Sequence, residues 1–422
     1  MNRLRVLVSA YACEPGKGSE PGVGWNLARE LASHHEVWVL TRANNQHAIE
    51  HELARKPVQG LHFVYYDLPR WSRFWKRGSR GVQLYYYLWQ LSAIGVLRRL
   101  HAELGFDIVH HVTFVKYWAP SAAAFVGAPF VWGPVGGGEN TPVRLLGSMS
   151  LRSRCDEELR TRARRLGERD PFVRFAAKTA SVAFATTPET AYRLKALGVQ
   201  DVRILPQVAL GCDDLTLLGE MGVVERTDGV VERTDIAFLC LGRLLGLKGT
   251  HLAIRAFAHA NIDGAVLRIV GDGPERARLE KLASGLGLAN RVVFRGTLPR
   301  AEALIEIKKA DVLVHPTFHD SGGWVTLEAM AASKPVICLD SGGPALQVTS
   351  STGIKVAPGD PSQCVTELAQ AMQKLAHDAN LRHQLGKAGR SRVERLFTWR
   401  AKVEQISAAY LDAISACTTI VK

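Results

Sequence analysis

The sequence predicts an α/β protein built from two doubly wound parallel-sheet domains, and three observations carry that expectation. At 422 residues the chain exceeds what one ordinary hydrophobic core accommodates. Short apolar runs recur along it, separated by longer stretches of helical periodicity. That alternation starts twice, once near the N-terminus and again at Ile236.

In the first series the strand segments are Leu4 to Ser9, Val37 to Leu40, Phe63 to Tyr66, Ile108 to His110, Phe130 to Val131, Val182 to Ala185 and Val202 to Leu205. The second series runs Ile236 to Leu241, Val266 to Val270, Val292 to Arg295, Val312 to Val314 and Val336 to Leu339. Between them, residues 223 to 235 repeat Val-Val-Glu-Arg-Thr-Asp around one glycine, too few and too short for a solenoid and expected as an exposed linker. Helical periodicity resumes in Val365, Leu368, Ala369 and Met372, then in Trp399, Val403, Ile406, Tyr410 and Leu411. The expected boundaries are 1–205 for the first domain, 206–235 for the linker, 236–395 for the second domain and 396–422 for a terminal helix.

Composition narrows the function. The formal net charge is +13, and it is uneven: residues 1 to 210 hold 28 Lys and Arg against 17 Asp and Glu, the remainder 25 against 23. A basic first half suits an anionic surface or acceptor, although a plain solubility charge explains it too. No run of about eighteen apolar residues exists, so a membrane span is not expected, and the apolar segment after Arg5 is too short for a secretion signal. Seven cysteines are scattered without a Cys-x-x-Cys pair, which predicts buried thiols in a reducing compartment and no structural metal.

The densest chemistry lies in His315 to Met330. There a strand end, a glycine turn and a helix start surround two carboxylates, Asp320 and Glu328, eight residues apart. Gly322 and Gly323 let the backbone approach a ligand, and free amides at the helix start point at an anion. Gly242-Arg243 and Lys248-Gly249 follow the first strand of the second series, where open α/β sheets bind phosphate. Arginine grips two oxygens and lysine adds a mobile point charge, so the pair suits a diphosphate whose charge grows as a bond breaks. Gly271-Asp272-Gly273 ends the next strand; it either flanks a nucleotide or closes a tight turn, with Asp272 as a helix cap.

In the first domain the glycine-rich loop Cys13 to Trp25 fits neither Walker A nor the dinucleotide fingerprint, which Pro21 interrupts. His110 and His111 end a strand, and Gly133 to Glu139 ends the following one. Residues 70 to 99 interleave Arg70, Arg73, Lys76, Arg77, Arg80, Arg98 and Arg99 with Trp71, Phe74, Trp75, Tyr85, Tyr86, Tyr87 and Trp89, while residues 152 to 174 add eight arginines. That mixture suits the headgroup layer of an anionic membrane; a core helix with a solvated charged face is the alternative. No nucleic-acid motif accompanies it.

These motifs, in this order, resemble the retaining glycosyltransferases of family 4 (group 1 glycosyltransferases) of the GT-B fold and bacterial polysaccharide type, most strongly over residues 236 to 345. The resemblance implies two Rossmann-like domains facing across a cleft, with the last helix crossing back to the first. It implies that Arg243 and Lys248 neutralise a departing diphosphate, that Glu328 holds the ribose and that Asp320 sits beside the transferred sugar, with His110 contributing to catalysis. Gly22, Gly271, Ser321, Gly322, Gly323, Trp324, Val325, Gly342 and Gly343 would bind the donor. His111, Gly137, Gly138 and Glu139 would lie on the acceptor side. Asp320 stands where the family usually has Glu, Gly322-Gly323-Trp324 departs from the commoner order, and Val112 replaces a second histidine.

The implied activity is transfer of a sugar, with retention, from a UDP- or GDP-linked donor to a carbohydrate acceptor, a lipid-linked glycan of cell-surface polysaccharide synthesis. No metal or other cofactor is implied and no nucleic acid is expected as partner. The expected location is cytoplasmic, in peripheral contact with anionic lipid on the inner membrane face. A nucleotide-sugar epimerase of the same fold and a non-catalytic membrane-associated sugar-nucleotide-binding protein are the alternatives.

Overall fold

Thirteen strands, all paired in parallel, form two sheets in the computed structural model, which describes residues 3–72, 75–76, 81–114, 116–219 and 236–420. The first sheet contains β1 (Arg5–Ser9), β2 (Glu36–Thr41), β3 (Leu61–Tyr65), β4 (Ile108–His111), β5 (Phe130–Val135), β6 (Ala180–Ala185) and β7 (Val202–Ile204). Its order is β3-β2-β1-β4-β5-β6-β7, so the winding reverses between β1 and β4. Ser9 pairs there with His111, which brings the loops after both strands to one carboxyl edge.

The second sheet contains β8 (Ala237–Leu241), β9 (Val266–Val270), β10 (Val292–Gly296), β11 (Val312–His315), β12 (Val336–Leu339) and β13 (Gly353–Val356), in the order β10-β9-β8-β11-β12-β13. Its reversal falls between β8 and β11, the strands that carry the Arg243 and Asp320 loops. Inner strands such as β11 and β12 are buried along their whole length, as expected when helices cover both faces. Every strand expected from the sequence is present. The unexpected one, β13, is an edge strand whose Gly353 lies so close to β12 that a Cβ would sit 2.2 Å from the Val336 carbonyl oxygen.

Besides the expected linker, whose residues 206–208 group with the first sheet and whose described residues from Ala209 group with the second, two boundaries differ from expectation. Residues Glu139–Arg160 group with the second sheet rather than the first. Leu145 and Met149 enter the second core, and Ser150 and Ser153 donate to the Glu275 carboxylate at 2.6 and 3.1 Å. His319 Nε2 lies 3.0 Å from Glu157 Oε1, which fixes the following turns. The second boundary falls three residues later than expected, for the group containing the first sheet resumes at Trp399. The helix Trp399–Ile420 packs on the helix Ser19–Ala32 and on β5 and β6. Within it Lys402 is buried, donates to the Pro206 carbonyl, and is pushed down to about 7 by burial.

The tandem sequence at 223–235 lies outside the described residues, as do Arg73, Phe74, Arg77 and Arg80. In the helix Val82–Leu104, Tyr85, Tyr86 and Trp89 are fully buried, so these three aromatics of the stretch are core rather than membrane-facing surface. Trp71, by contrast, is 79% exposed. Arg164 is buried and leaves the cationic face. Among the cysteines, 155 and 212 are exposed, against the expectation of buried thiols. No described helix is long and apolar enough to cross a membrane.

Candidate active site

The loop after β11 turns on the Asp320 carboxylate. Oδ1 accepts the backbone N–H groups of Gly322 and Gly323 at 3.0 and 3.2 Å, and Oδ2 pairs with the Lys248 ammonium. His315 Nε2 stands 3.7 Å from Oδ2, beyond hydrogen-bond reach, and burial lowers this imidazole below its usual value. Burial is the largest influence on this carboxyl and pushes it up; the groups around it, led by the Lys248 ammonium, outweigh it and hold Asp320 well below the usual carboxylate range. Asp320 is therefore a fixed anion rather than a proton donor.

Gly323, at φ +66°, caps the helix Trp324–Ala331 in the left-handed region. The Gly342-Gly343 turn packs on the same loop: Gly343 N–H donates to the Asp320 carbonyl at 2.6 Å, and a Cβ on Gly342 would stand 2.6 Å from that oxygen. Ser321 Oγ donates to Glu139 Oε2 at 2.8 Å. Glu139, expected on the acceptor side, is thus part of the second unit and ties down the Asp320 loop.

Arg243, Lys248, Gly242, Thr250 and His315 line a pocket at the carboxyl ends of β8 and β11. The Arg243 side chain is exposed, and it has no carboxylate partner among the described residues. Gly271 owes its identity to packing: a Cβ there would lie 2.0 Å from the Gly242 carbonyl oxygen, so the second glycine loop props the first. Asp272 Oδ1 accepts the Gly273 N–H at 2.7 Å, the turn the sequence allowed.

Glu328 lies on the second turn of the helix Trp324–Ala331 and is buried. Its Oε1 accepts from Arg300 Nη1 at 2.6 Å, and Arg300 Nη2 donates to Asp214 at 2.9 Å. Burial raises the Glu328 carboxyl despite Arg300. Sequence motifs gave no sign of Arg300 or Asp214, which lie 28 and 114 positions from Glu328 in the chain. Val325, beside Trp324 in the first helical turn, is buried.

In the first unit His110, expected to contribute to catalysis, lies inside the sheet. It is fully buried, with Nε2 2.5 Å from the Gly133 carbonyl and Nδ1 2.6 Å from the Tyr410 hydroxyl. A carbonyl only accepts, so Nε2 carries the proton and Nδ1 accepts from Tyr410. Burial pushes His110 down to about 4 and His111 to about 3; His111 faces Ser121 at 3.1 Å. Both rings are neutral structural members of β4. Gly137 and Gly138 are packing glycines, with Cβ positions 2.4 Å from the Trp118 ring and 2.5 Å from Thr190. Gly22 is buried in the helix Ser19–Ala32, and its carbonyl accepts from Asn26 at 2.9 Å.

Comparison with known proteins identifies the family and the fold. The model of the glycosyl transferases group 1 matches residues 225–392, and that of the glycosyl transferase 4-like domain matches residues 18–206. The 2-deoxystreptamine N-acetyl-D-glucosaminyltransferase of Streptomyces fradiae is 30% identical over 72% of this chain and 72% of its own length. The lipopolysaccharide core biosynthesis glycosyltransferase LpsD of Rhizobium meliloti is 30% identical over 54% of this chain and 61% of its length. Across the leading curated relatives the chain spans 27% to 63% of their length, less than two thirds. The fold is shared with Anabaena HepE, solved in complex with UDP and glucose, at a TM-score of 0.60 and 18% identity over 96% of this chain and 99% of that one. The chain belongs to the group 1 glycosyl transferases, and its two parallel-sheet units are those of the GT-B fold.

Proposed function

We propose that the protein is a retaining sugar transferase that takes its donor from a UDP- or GDP-linked sugar and delivers it to a lipid-linked glycan. The observation that carries this reading is the cationic pocket of Arg243 and Lys248 at the switch point of the second sheet, beside the Asp320 anion. In this reading Arg243 and Lys248 bind the diphosphate. An ammonium has three donors, so Lys248 can hold Asp320 and still reach a phosphate oxygen. As the bond from the anomeric carbon to the phosphate oxygen breaks, its electron pair stays on the phosphate, where both cations stabilise it. The acceptor hydroxyl bonds to the anomeric carbon on the same face and gives its proton to the departing phosphate. Asp320, permanently ionised, positions the sugar and faces the growing positive charge. Two cations and backbone amides supply what a divalent ion supplies in other transferases.

A lipid-linked acceptor is supported by LpsD, whose name places that relative in lipopolysaccharide core biosynthesis. Contact with anionic lipid rests on the basic first half and the exposed Trp71. Calorimetry with UDP and GDP tests the donor site: wild type binds one of them, and Arg243→Ala lowers that affinity at least tenfold. Equal affinity in the variant removes the model. Sedimentation with phosphatidylglycerol vesicles tests the membrane contact, and recovery no better than with phosphatidylcholine ends that part.

A further inference from the structure

Arg300 opens the helix Arg300–Lys309 and binds two carboxylates at once. Nη1 reaches Glu328 Oε1 at 2.6 Å, Nη2 reaches Asp214 Oδ1 at 2.9 Å, and the guanidinium lies 5.6 Å from the centre of the Trp324 ring. Asp214 comes from a separate helix, Cys212–Gly219, so two other helices converge on this one side chain. Among the described residues the Glu328 carboxylate takes no other hydrogen bond. One of its oxygens is committed and the other is open.

A buried carboxylate that receives hydroxyl groups has two needs, a negative charge and a fixed direction. Burial works against the charge and raises the Glu328 carboxyl. A guanidinium at 2.6 Å works for it, and does so with a planar fork that also sets the orientation. Arginine is long and flexible, so the fork keeps its place only when its other end is held. Asp214 supplies that hold.

We propose that Arg300 is a positioning residue of the donor site: anchored by Asp214, it keeps Glu328 ionised and aimed, so that the open oxygen accepts from the neighbouring hydroxyls of the donor ribose. This rests on the donor reading given above, and it adds to it a residue that touches no substrate. Its effect is on donor affinity and on how that affinity changes with pH. An Arg300 that merely neutralised a buried acid and a half-buried one would affect stability alone.

Calorimetry with the nucleotide that wild type binds, UDP or GDP, is carried out on the full chain at pH 6, 7 and 8.5. Wild-type affinity is nearly flat across this range. Arg300→Met is expected to weaken binding about tenfold at pH 7. It should recover toward pH 8.5, where Glu328 ionises unaided, and Arg300→Lys should fall between the two. Glu328→Gln weakens binding without recovery, and adding Arg300→Met to it costs little more. A loss in Arg300→Met that is independent of pH and additive with Glu328→Gln overturns the proposal, as does unchanged affinity. If Arg300→Met does not fold, Asp214→Asn takes its place, with a smaller loss and the same recovery at high pH. Wild type binding neither nucleotide sinks the donor reading itself and this proposal with it; binding by wild type with no effect of the variants sinks only the role of Arg300.

Discussion

The Tyr410 hydroxyl donates to Nδ1 of His110 across 2.6 Å, joining the last helix to the middle of the first sheet over a sequence separation of 300. The same imidazole donates from its other nitrogen to the Gly133 carbonyl, so its hydrogen-bonding capacity is spent inside the unit.

His110→Phe therefore damages stability rather than chemistry. It leaves a buried hydroxyl and a buried carbonyl without a partner, each worth roughly 1–3 kcal/mol. Thermal unfolding should move to lower temperature while the turnover of the folded enzyme stays within about twofold. A catalytic histidine would give the opposite pattern, with the melting temperature kept and turnover lost.

Acid should loosen the fold well before carboxylates protonate. Burial is the first cause in each of four histidines, holding His35, His110 and His251 down to about 4 and His111 to about 3, against 6.5 when unfolded. Below pH 6.5 the unfolded chain takes up protons that the folded histidines refuse, so their contribution to stability is full above that value and declines toward pH 4. Glu328, whose carboxyl is raised, acts in the other direction, but it is one group against four. Urea unfolding at pH 7.5, 6 and 5 should show a falling midpoint, and a constant one would refute this account.

Lys248→Met removes the cation that holds Asp320 ionised. Catalytic efficiency should drop by roughly a hundredfold to a thousandfold, the scale of losing one electrostatic contact at a reacting centre. Because the two side chains act as a pair, Lys248→Met with Asp320→Asn should lose far less than the product of the single losses. Steady-state kinetics of the three variants decide it, and strictly multiplicative losses mean that the pair is not coupled.

The half of the site around Arg243, Lys248 and Asp320 was legible in the sequence because it is local. Arg243, Lys248, Asp320 and the glycines lie on loops that directly follow strands, and apolar runs locate strands well. The edge strand Gly353–Val356 escaped because glycine and lysine leave only two apolar residues in it. Arg300 and Asp214, 86 residues apart, and Glu157 and His319, 162 apart, meet only through the fold, and no periodicity records such meetings. The aromatic stretch misled for a related reason. Composition says that Tyr85, Tyr86 and Trp89 are present, whereas the packing of their helix decides that they face inward.

The return of residues 399–420 to the first sheet has a consequence for the order of synthesis. A ribosome finishes every residue of the second unit before it delivers the helix that completes the first. During that interval the seam awaiting Val403, Ile406 and Tyr410 has nothing to cover it, and His110 has no hydroxyl to meet. The half of the molecule translated earliest is thus the half that matures last, and a released chain truncated after residue 398 should be protease-resistant in the later unit and susceptible in the earlier one.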